Sequence, residues 1–560
     1  MSTEHVSRSR LSAAWHRLDL PRNTQITLIG LVVLLVAGLV THLILQTNGT
    51  YTGLTTLDTP VFLRAIDSGF NVHDFYTNAI ADTPRDGFVW MIRPFTLLGV
   101  DWLTVISWHA TASAMARPLL TFAIFVMAAH RASSEAQDTR LLLPAYLLAA
   151  ATILVTFAFP GFYHPGGWYV GHAVTNIAGS HYAVLLSLIL TLMILHAPAR
   201  GYPAKIALAG IITFIHPAIG LGIWSWLVPL MIWLSPSLKV AALRCAMLGI
   251  GVAAAIVLTL SLYAQPKAID VETFREIYAY WRHPFHYQMS FLWPNANGFW
   301  FTVVALLGGA IVAARFKDKR ILLMLLGFLG VFLGALGLQW VGTDLFPTRS
   351  VIQLGPTRFT SHTALYGLIG LIVVAIHRYA SVGARRPDPE LTILPERPTR
   401  TLAIAGAAAL LVAAPIKATY AATMPPDDPI ITWLQDNTAP DDVVQDMHMG
   451  PYFLNSDGIW VHYDHVTFSI RDFAERPIFA DKAFPFKEDV FVEFRDRLQV
   501  AKRLAQTPVD SVMCDTGGYR LDYLIYNSKT PTRPLETNPI VQSGDWSLYS
   551  AEQFPCPEAP

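Results

Sequence analysis

Apolar stretches that can form membrane helices recur from residue 26 to residue 414, and no other feature restricts the fold of this chain so strongly. They fall at 26–46, 103–129, 141–159, 181–195, 206–215, 218–234, 240–262, 299–314, 321–340, 362–376 and 402–414. In a bilayer every backbone polar group must be satisfied within the protein, so such segments specify an α-helical polytopic bundle of about eleven spans. Several are shorter than a straight span needs. The two that flank His216-Pro217 read as a hairpin of short helices, broken where proline removes a donor. Charged residues make up only 14% of the chain, against about 25% in soluble domains. They are sparse across the apolar region and frequent from Asp427 onward. The expected organisation is a cytoplasmic segment over 1–25, a transmembrane domain over 26–416 and an extracytoplasmic α/β domain over 417–560. No small-residue cleavage site follows 26–46, which reads as a signal anchor.

Basic residues set the orientation. With the N-terminus inside, the cytoplasmic connections carry nineteen, including Arg131, Arg140, Arg200, Lys205, Lys239, Arg315, Lys317, Lys319, Arg320, Arg385 and Arg386. The opposite loops are longer in total and carry eight: Arg64, Arg85, Arg93, Lys267, Arg275, Arg282, Arg349 and Arg358. An odd number of spans then delivers the C-terminal domain outside. The outer loops, beginning with the long first one at 47–102, are also the aromatic and proline-rich ones, so any chemistry belongs on that face. Trp90, Trp102, Trp108, Trp168, Trp224, Trp281, Trp293, Trp300 and Trp340 lie near predicted span ends and read mostly as an interfacial belt. Arg117, inside a span, is expensive in hydrocarbon and is expected to face the bundle interior or an aqueous groove.

In the C-terminal region, 430–435 and 491–504 read as helices, and 443–445, 511–514, 523–526 and 546–549 as short strands. Cys245 lies in an apolar run and reads as a packing residue. Cys514 and Cys556 both fall in the domain expected outside, where a disulfide between them is as expected as not. Formal net charge is zero, which argues against nucleic-acid binding.

The first outer loop concentrates carboxylates near the membrane surface: Asp58, Asp67, Asp74, Asp82 and Asp86. A helix starting at Pro60 would turn Val61, Phe62 and Ala65 toward the membrane, with Asp58 at its entrance. Capping by Asp58 or Thr59, with Pro60 as first helical residue, accounts for that pattern equally well, and one carboxylate can both cap and catalyse.

An outer loop that opens with Asp58 just after the first span, carries Phe62 four residues on, and continues into His73-Asp74-Phe75 resembles the GT-C superfamily of membrane glycosyltransferases. The more usual Gly-Asp-Trp is replaced here by His73-Asp74-Phe75, and no Asp-Glu or Glu-Asp pair follows the first span. The segments ITWLQDNTAPDDVV, RDFAERPIFADKAFPFKEDVFVEFRDRL, DSVMCD and DYLIY are similar to a family of uncharacterised bacterial multi-pass proteins of GT-C-like architecture, and Asp481-Lys482-Ala483-Phe484-Pro485-Phe486 is the most specific piece. The resemblance implies a bacterial inner (plasma) membrane enzyme of the cell envelope. It would move a hexosyl or pentosyl group from a polyprenyl-phosphate-linked sugar to an acceptor on the outer face, with Asp58 as leading carboxylate and Asp74 as second.

Displacing a lipid phosphate from a sugar carbon needs a base for the acceptor hydroxyl and cations for the departing phosphate. Arg93, Arg282, Arg349 and Arg358 are the candidate cations, although headgroup contacts or loop ion pairs explain each more often. His164 and His172 share a glycine-rich loop suited to lining a substrate cleft, with His283 beside Arg282. No HExxH pattern occurs, and histidine ligation of a metal is the minor reading. No cofactor is required; a divalent cation, Mg or Mn, held by Asp58 and Asp74 is the open alternative. The bilayer is the expected environment, and the oligomeric state is not legible. Two other classes compete: a transporter or flippase of a lipid-linked or polar solute, and a non-catalytic envelope assembly protein.

Overall fold

The computed structural model describes residues 59–81, 86–102, 179–196, 201–233, 235–263, 268–281, 297–356, 424–448, 466–481, 487–528 and 530–556 (531 and 535 excepted), with a few isolated positions besides. The expected segments 26–46, 141–159 and 402–414, and nearly all of 103–129 and 362–376, lie outside the described residues, as does Arg117.

Among the described residues, three short helices come first: α1 (Thr59–Ile66), α2 (Phe75–Ile80) and α3 (Asp86–Leu97). Two-residue strands β1 (Tyr163–His164) and β2 (Trp168–Tyr169) pair antiparallel. All six of the remaining expected apolar segments are helical: α4 (Gly179–His196), α5 (Tyr202–Ile215), α6 (Pro217–Trp233), α7 (Leu238–Tyr263), with α9 (Asn297–Arg315) and α10 (Lys319–Gln339) after a connecting helix α8 (Val271–Arg275). Among the described residues, one helical run, Lys319–Leu345, is long and apolar enough to cross a membrane by itself.

The break at His216 follows from local chemistry. The residue before a proline is pushed to extended backbone, and His216 has φ −148° and ψ 96°. Pro217 then opens α6, where a missing N–H costs nothing, and His216 Nδ1 accepts from the Ile219 amide at 3.3 Å. The two half-helices fold together closely. Trp224 Nε1 donates to Thr213 Oγ1 at 2.9 Å, and a Cβ on Gly220 would meet the Thr213 backbone at 2.4 Å, so only glycine fits there. Ile212, Ile215, Ile223, Leu227, Leu306, Leu325 and Phe328 belong to one buried core that the helices share. The outward surfaces are also apolar: Ile250, Val257, Val304 and Ile311 are all more than 60% exposed.

The C-terminal domain is a three-layer α/β/α sandwich. Its sheet runs in the order β3 (Val444–Asp446), β4 (Tyr523–Asn527), β6 (Trp546–Ser550), β5 (Val541–Ser543), with β3 parallel to β4 and the other pairs antiparallel. Alternation along β4 sorts its side chains by face. Leu524 and Tyr526 join the core formed by Phe491, Phe494 and Leu498 of α13 (Phe491–Gln506). Ile525, with Leu548, joins Ile430, Ile431 and Leu434 of α12 (Pro429–Asn437). Residues 511–514, expected as a strand, instead lie in a 3-10 helix, Val509–Asp515, in which the Ser511 amide bonds back to the Pro508 carbonyl. Cys514 and Cys556 form a disulfide, with Cα atoms 5.0 Å apart.

Candidate functional site

Helix α1 is a wedge. Phe62 and Leu63 sit in the bundle core, and Val61 in the core that the first loop shares with the C-terminal domain. Val61 and Phe62 therefore face protein and not the membrane, because the helix is caught between two cores that bury both side chains. Arg64 fastens the turn that follows, donating to Asn78 Oδ1 at 2.7 Å and to the Asn71 carbonyl. Asp58 directly precedes α1 in the chain and lies outside the described residues.

Asp74 caps α2. Its Oδ2 accepts from the Thr77 amide at 2.6 Å and its Oδ1 from the Ile478 amide at 3.0 Å, four hundred residues away in the chain. The carboxyl is fully buried, so one side chain both starts a helix in the first loop and hydrogen-bonds the C-terminal domain. Burial pushes its pKa up, against the pull of the nearby Arg471 guanidinium and the amide donors.

Arg471 itself has no exposed surface. It is ion-paired through Nη1 with Asp481, and its Nε lies 3.5 Å from Asp472 Oδ1. Three carboxyls therefore surround one guanidinium, and desolvation disfavours ionising all of them. Asp472 yields: burial lifts its pKa to about 8, with Arg471 pulling down and Asp481 pushing up. A second clamp lies alongside. The Arg497 guanidinium lies 4.3 Å from the Phe75 ring centroid and within 5.5 Å of those of Phe479 and Tyr519, while Glu493 pairs with it at 2.8 Å.

Arg349, one of the expected phosphate ligands, is also turned inward. It opens helix α11 (Arg349–Leu354), pairs with the buried Glu488, donates to the Ile269 carbonyl and lies over the Phe274 ring at 5.2 Å. Glu488 Oε2 also accepts from the Ala268 amide at 3.2 Å. Asp74 and Arg349 are thus joined through one body, the C-terminal domain: Asp74 anchors the first loop to it, and Arg349 anchors the α11 segment. Arg93 differs, being exposed on α3. His164 lies in β1, paired in register with Trp168. His172, Arg282, His283 and Arg358 fall outside the described residues.

Sequence reasoning did not single out Arg471, Asp472 or Arg497. The signal lay in the alternation of acids and bases with aromatics over 471–497, a pattern easily taken for a solvated surface. Among the described residues, no group of three His, Cys, Asp or Glu side chains is arranged to hold a metal ion. A cleft of about 470 Å³ opens in the C-terminal domain, lined by Asp442, Asp522, Tyr523, Ser550 and Glu552 beside Cys556. Its carboxylates and hydroxyls can bond a hydroxyl-rich ligand, while Arg520 ties Asp441, Asp442 and Asp522 together at 2.8 to 2.9 Å.

No protein-family model matches the chain, and no curated protein matches it. Among solved structures it is similar to arabinofuranosyltransferase AftD from Mycobacteria, at 15% sequence identity and a TM-score of 0.39, over 92% of this chain and 39% of that one. The chain therefore spans about two fifths of that protein's length. At this identity and score the likeness decides neither fold nor activity.

Proposed function

We propose that the protein is a membrane glycosyltransferase of GT-C type, which moves a sugar from a polyprenyl-phosphate-type lipid donor to an acceptor on the outer face. The observation that carries this reading is the seating of α1. A helix that begins one residue after Asp58 is wedged between the apolar bundle and the C-terminal domain, the boundary where a donor with its tail in lipid would meet a water-borne acceptor.

Two further observations support it. The bundle's outward apolar surfaces suit lipid far better than water. A disulfide in the C-terminal domain suits an oxidising, extracytoplasmic compartment. In the reaction the acceptor oxygen attacks the anomeric carbon, its proton passes to the Asp58 carboxylate, and the carbon–oxygen bond to phosphate breaks. The electron pair leaves with the polyprenyl phosphate. Arg282 and Arg358 are the proposed partners of that phosphate, with His164, His172 and His283 lining the sugar site. Asp74, whose oxygens are both engaged by backbone amides, would serve the loop's shape, and a divalent cation, if used, would rest on Asp58.

The test is turnover by the purified chain on lipid-linked sugars, identified by mass spectrometry of glycolipids and glycoproteins from a deletion strain. Asp58→Asn should abolish transfer while the disulfide and the thermal unfolding profile stay intact. Wild-type turnover in that variant would remove the proposal. A transporter of a lipid-linked solute is the second reading, favoured by the broken pair α5–α6 around the buried His216. Solute movement across vesicles without bond cleavage would identify it.

A further inference from the structure

We infer that helix α3 lies in the headgroup region of the bilayer on the side of the C-terminal domain, with Trp90, Leu97 and Leu98 inserted among lipids and Arg93 on the phosphates of those headgroups. The inference rests on reading the bundle as bilayer-embedded and is independent of any transferase activity.

The helix has two apolar sides. Val89 and Ile92 are buried, packing α3 against the protein, since α3 adjoins α1 and α5. A neighbouring exposed stripe is built from Trp90, Arg93 and Leu97, at i, i+3 and i+7, and is followed by Leu98. Trp90 is 72% exposed, Leu97 75% and Leu98 80%. A polar outer face would be expected if water covered it.

The distribution of side chains along the α9–α10 hairpin says what covers it. The turn between the two helices carries Arg315, Lys317, Lys319 and Arg320, while the far ends expose Trp300 and Trp340. Aromatics collect at membrane–water interfaces, and basic residues at the cytoplasmic one. Helix α3 belongs to the aromatic end, because Val89 shares a core with Ile352 of α11, which follows Trp340 closely in the chain, and with the C-terminal domain. A tryptophan and two leucines around an arginine, lying level with an aromatic belt, match a helix resting in the interface plane, where the guanidinium reaches headgroup phosphate.

The experiment uses the full chain in lipid nanodiscs. A Leu97→Cys variant on a Cys245→Ala background, with the Cys514–Cys556 disulfide kept, is labelled with an environment-sensitive fluorophore. Leu98→Cys provides a second site should the first perturb folding, and Gln542→Cys on exposed β5 serves as the aqueous control. Emission at 97 or 98 should shift to the blue relative to 542. Lipids with a nitroxide near the headgroup should quench it more than lipids with one near the chain end, and a soluble quencher should have little effect. Water-like emission matching position 542 overturns the inference. A blue shift that ignores lipid nitroxides and fades on dilution assigns the face to a second copy, and equally overturns it. Neither result touches the transferase reading, because no turnover is measured.

Discussion

Replacing Asp74 by alanine should loosen two segments that are far apart in sequence. The substitution takes the acceptor from the Thr77 amide, a helix cap of about 0.5–2 kcal/mol. It also strands the Ile478 amide in a dry interior, at about 1–3 kcal/mol. Loss of the neighbouring charge from Arg471 adds to this, whereas relief of burying a carboxyl whose pKa is already raised offsets part of it. The net is roughly 2–4 kcal/mol, which is about 30- to 700-fold in the local opening equilibrium. Hydrogen exchange with mass spectrometry on the solubilised full chain reads both sites at once, and suits a chain of several cores better than a single melting temperature. Peptides over 75–81 and 476–481 should both exchange faster by that order. With Asp74→Asn the effect should be roughly tenfold, since the amide keeps one acceptor oxygen. Acceleration confined to 75–81 would mean that Asp74 is a cap alone, and no change in either peptide would refute the linkage outright.

Other outcomes follow from the same contacts. Asp472 has its folded pKa raised to about 8 from an ordinary value near 4, so it favours the folded state fully at acid pH, and that contribution is lost as pH rises through about 8. An Asp472→Asn variant should therefore show a flatter decline of stability between pH 5 and about 8 in denaturant titrations, and an unchanged slope would show that the group titrates elsewhere. Reducing Cys514–Cys556 frees a loop with a sequence separation of 42, worth about 4 kcal/mol in the chain-entropy view; proteolysis with and without reductant should show the C-terminal domain opening first. Arg349→Ala leaves Glu488 buried without its ion-pair partner and should cost about 3–5 kcal/mol, whereas Arg349→Ala with Glu488→Gln should recover part of that loss in the same unfolding assay.

What could be read from the sequence was what periodicity and proline control. The six apolar helices that fall in the described residues, the His216-Pro217 break, the two C-terminal helices and the strands containing Leu524 and Leu548 all follow from side-chain spacing and need no knowledge of distant partners. Strand β5 was missed because Val541-Gln542-Ser543 holds one apolar residue and shows no alternation, yet Ser543-Gly544-Asp545-Trp546 carries the hairpin signal, and Gly544 adopts φ 54°. The segment 511–514 looked like a strand from its composition, but Pro508 and the need to bring Cys514 to Cys556 favour a tight 3-10 turn. Site residues were harder. A carboxylate in a loop beside a membrane and a carboxylate under a folded domain have the same one-letter code. The 404-residue leap from Asp74 to Ile478 has no local signature. Arg349 raised the same difficulty: an outer-loop arginine beside proline suggests phosphate, and only the fold reveals Glu488 beneath it.

The inward-pointing charges of Asp74 and Arg349 have a mechanical consequence. The first loop and the α11 segment are each pinned to the C-terminal domain, one at Asp74 and the other at Arg349, so the domain acts as a handle for both, and a binder that tilts it would strain α1 and α11 together. On the proposed reading of the bundle as bilayer-embedded, a soluble protein gripping only that domain would throttle the site beside α1 without touching lipid.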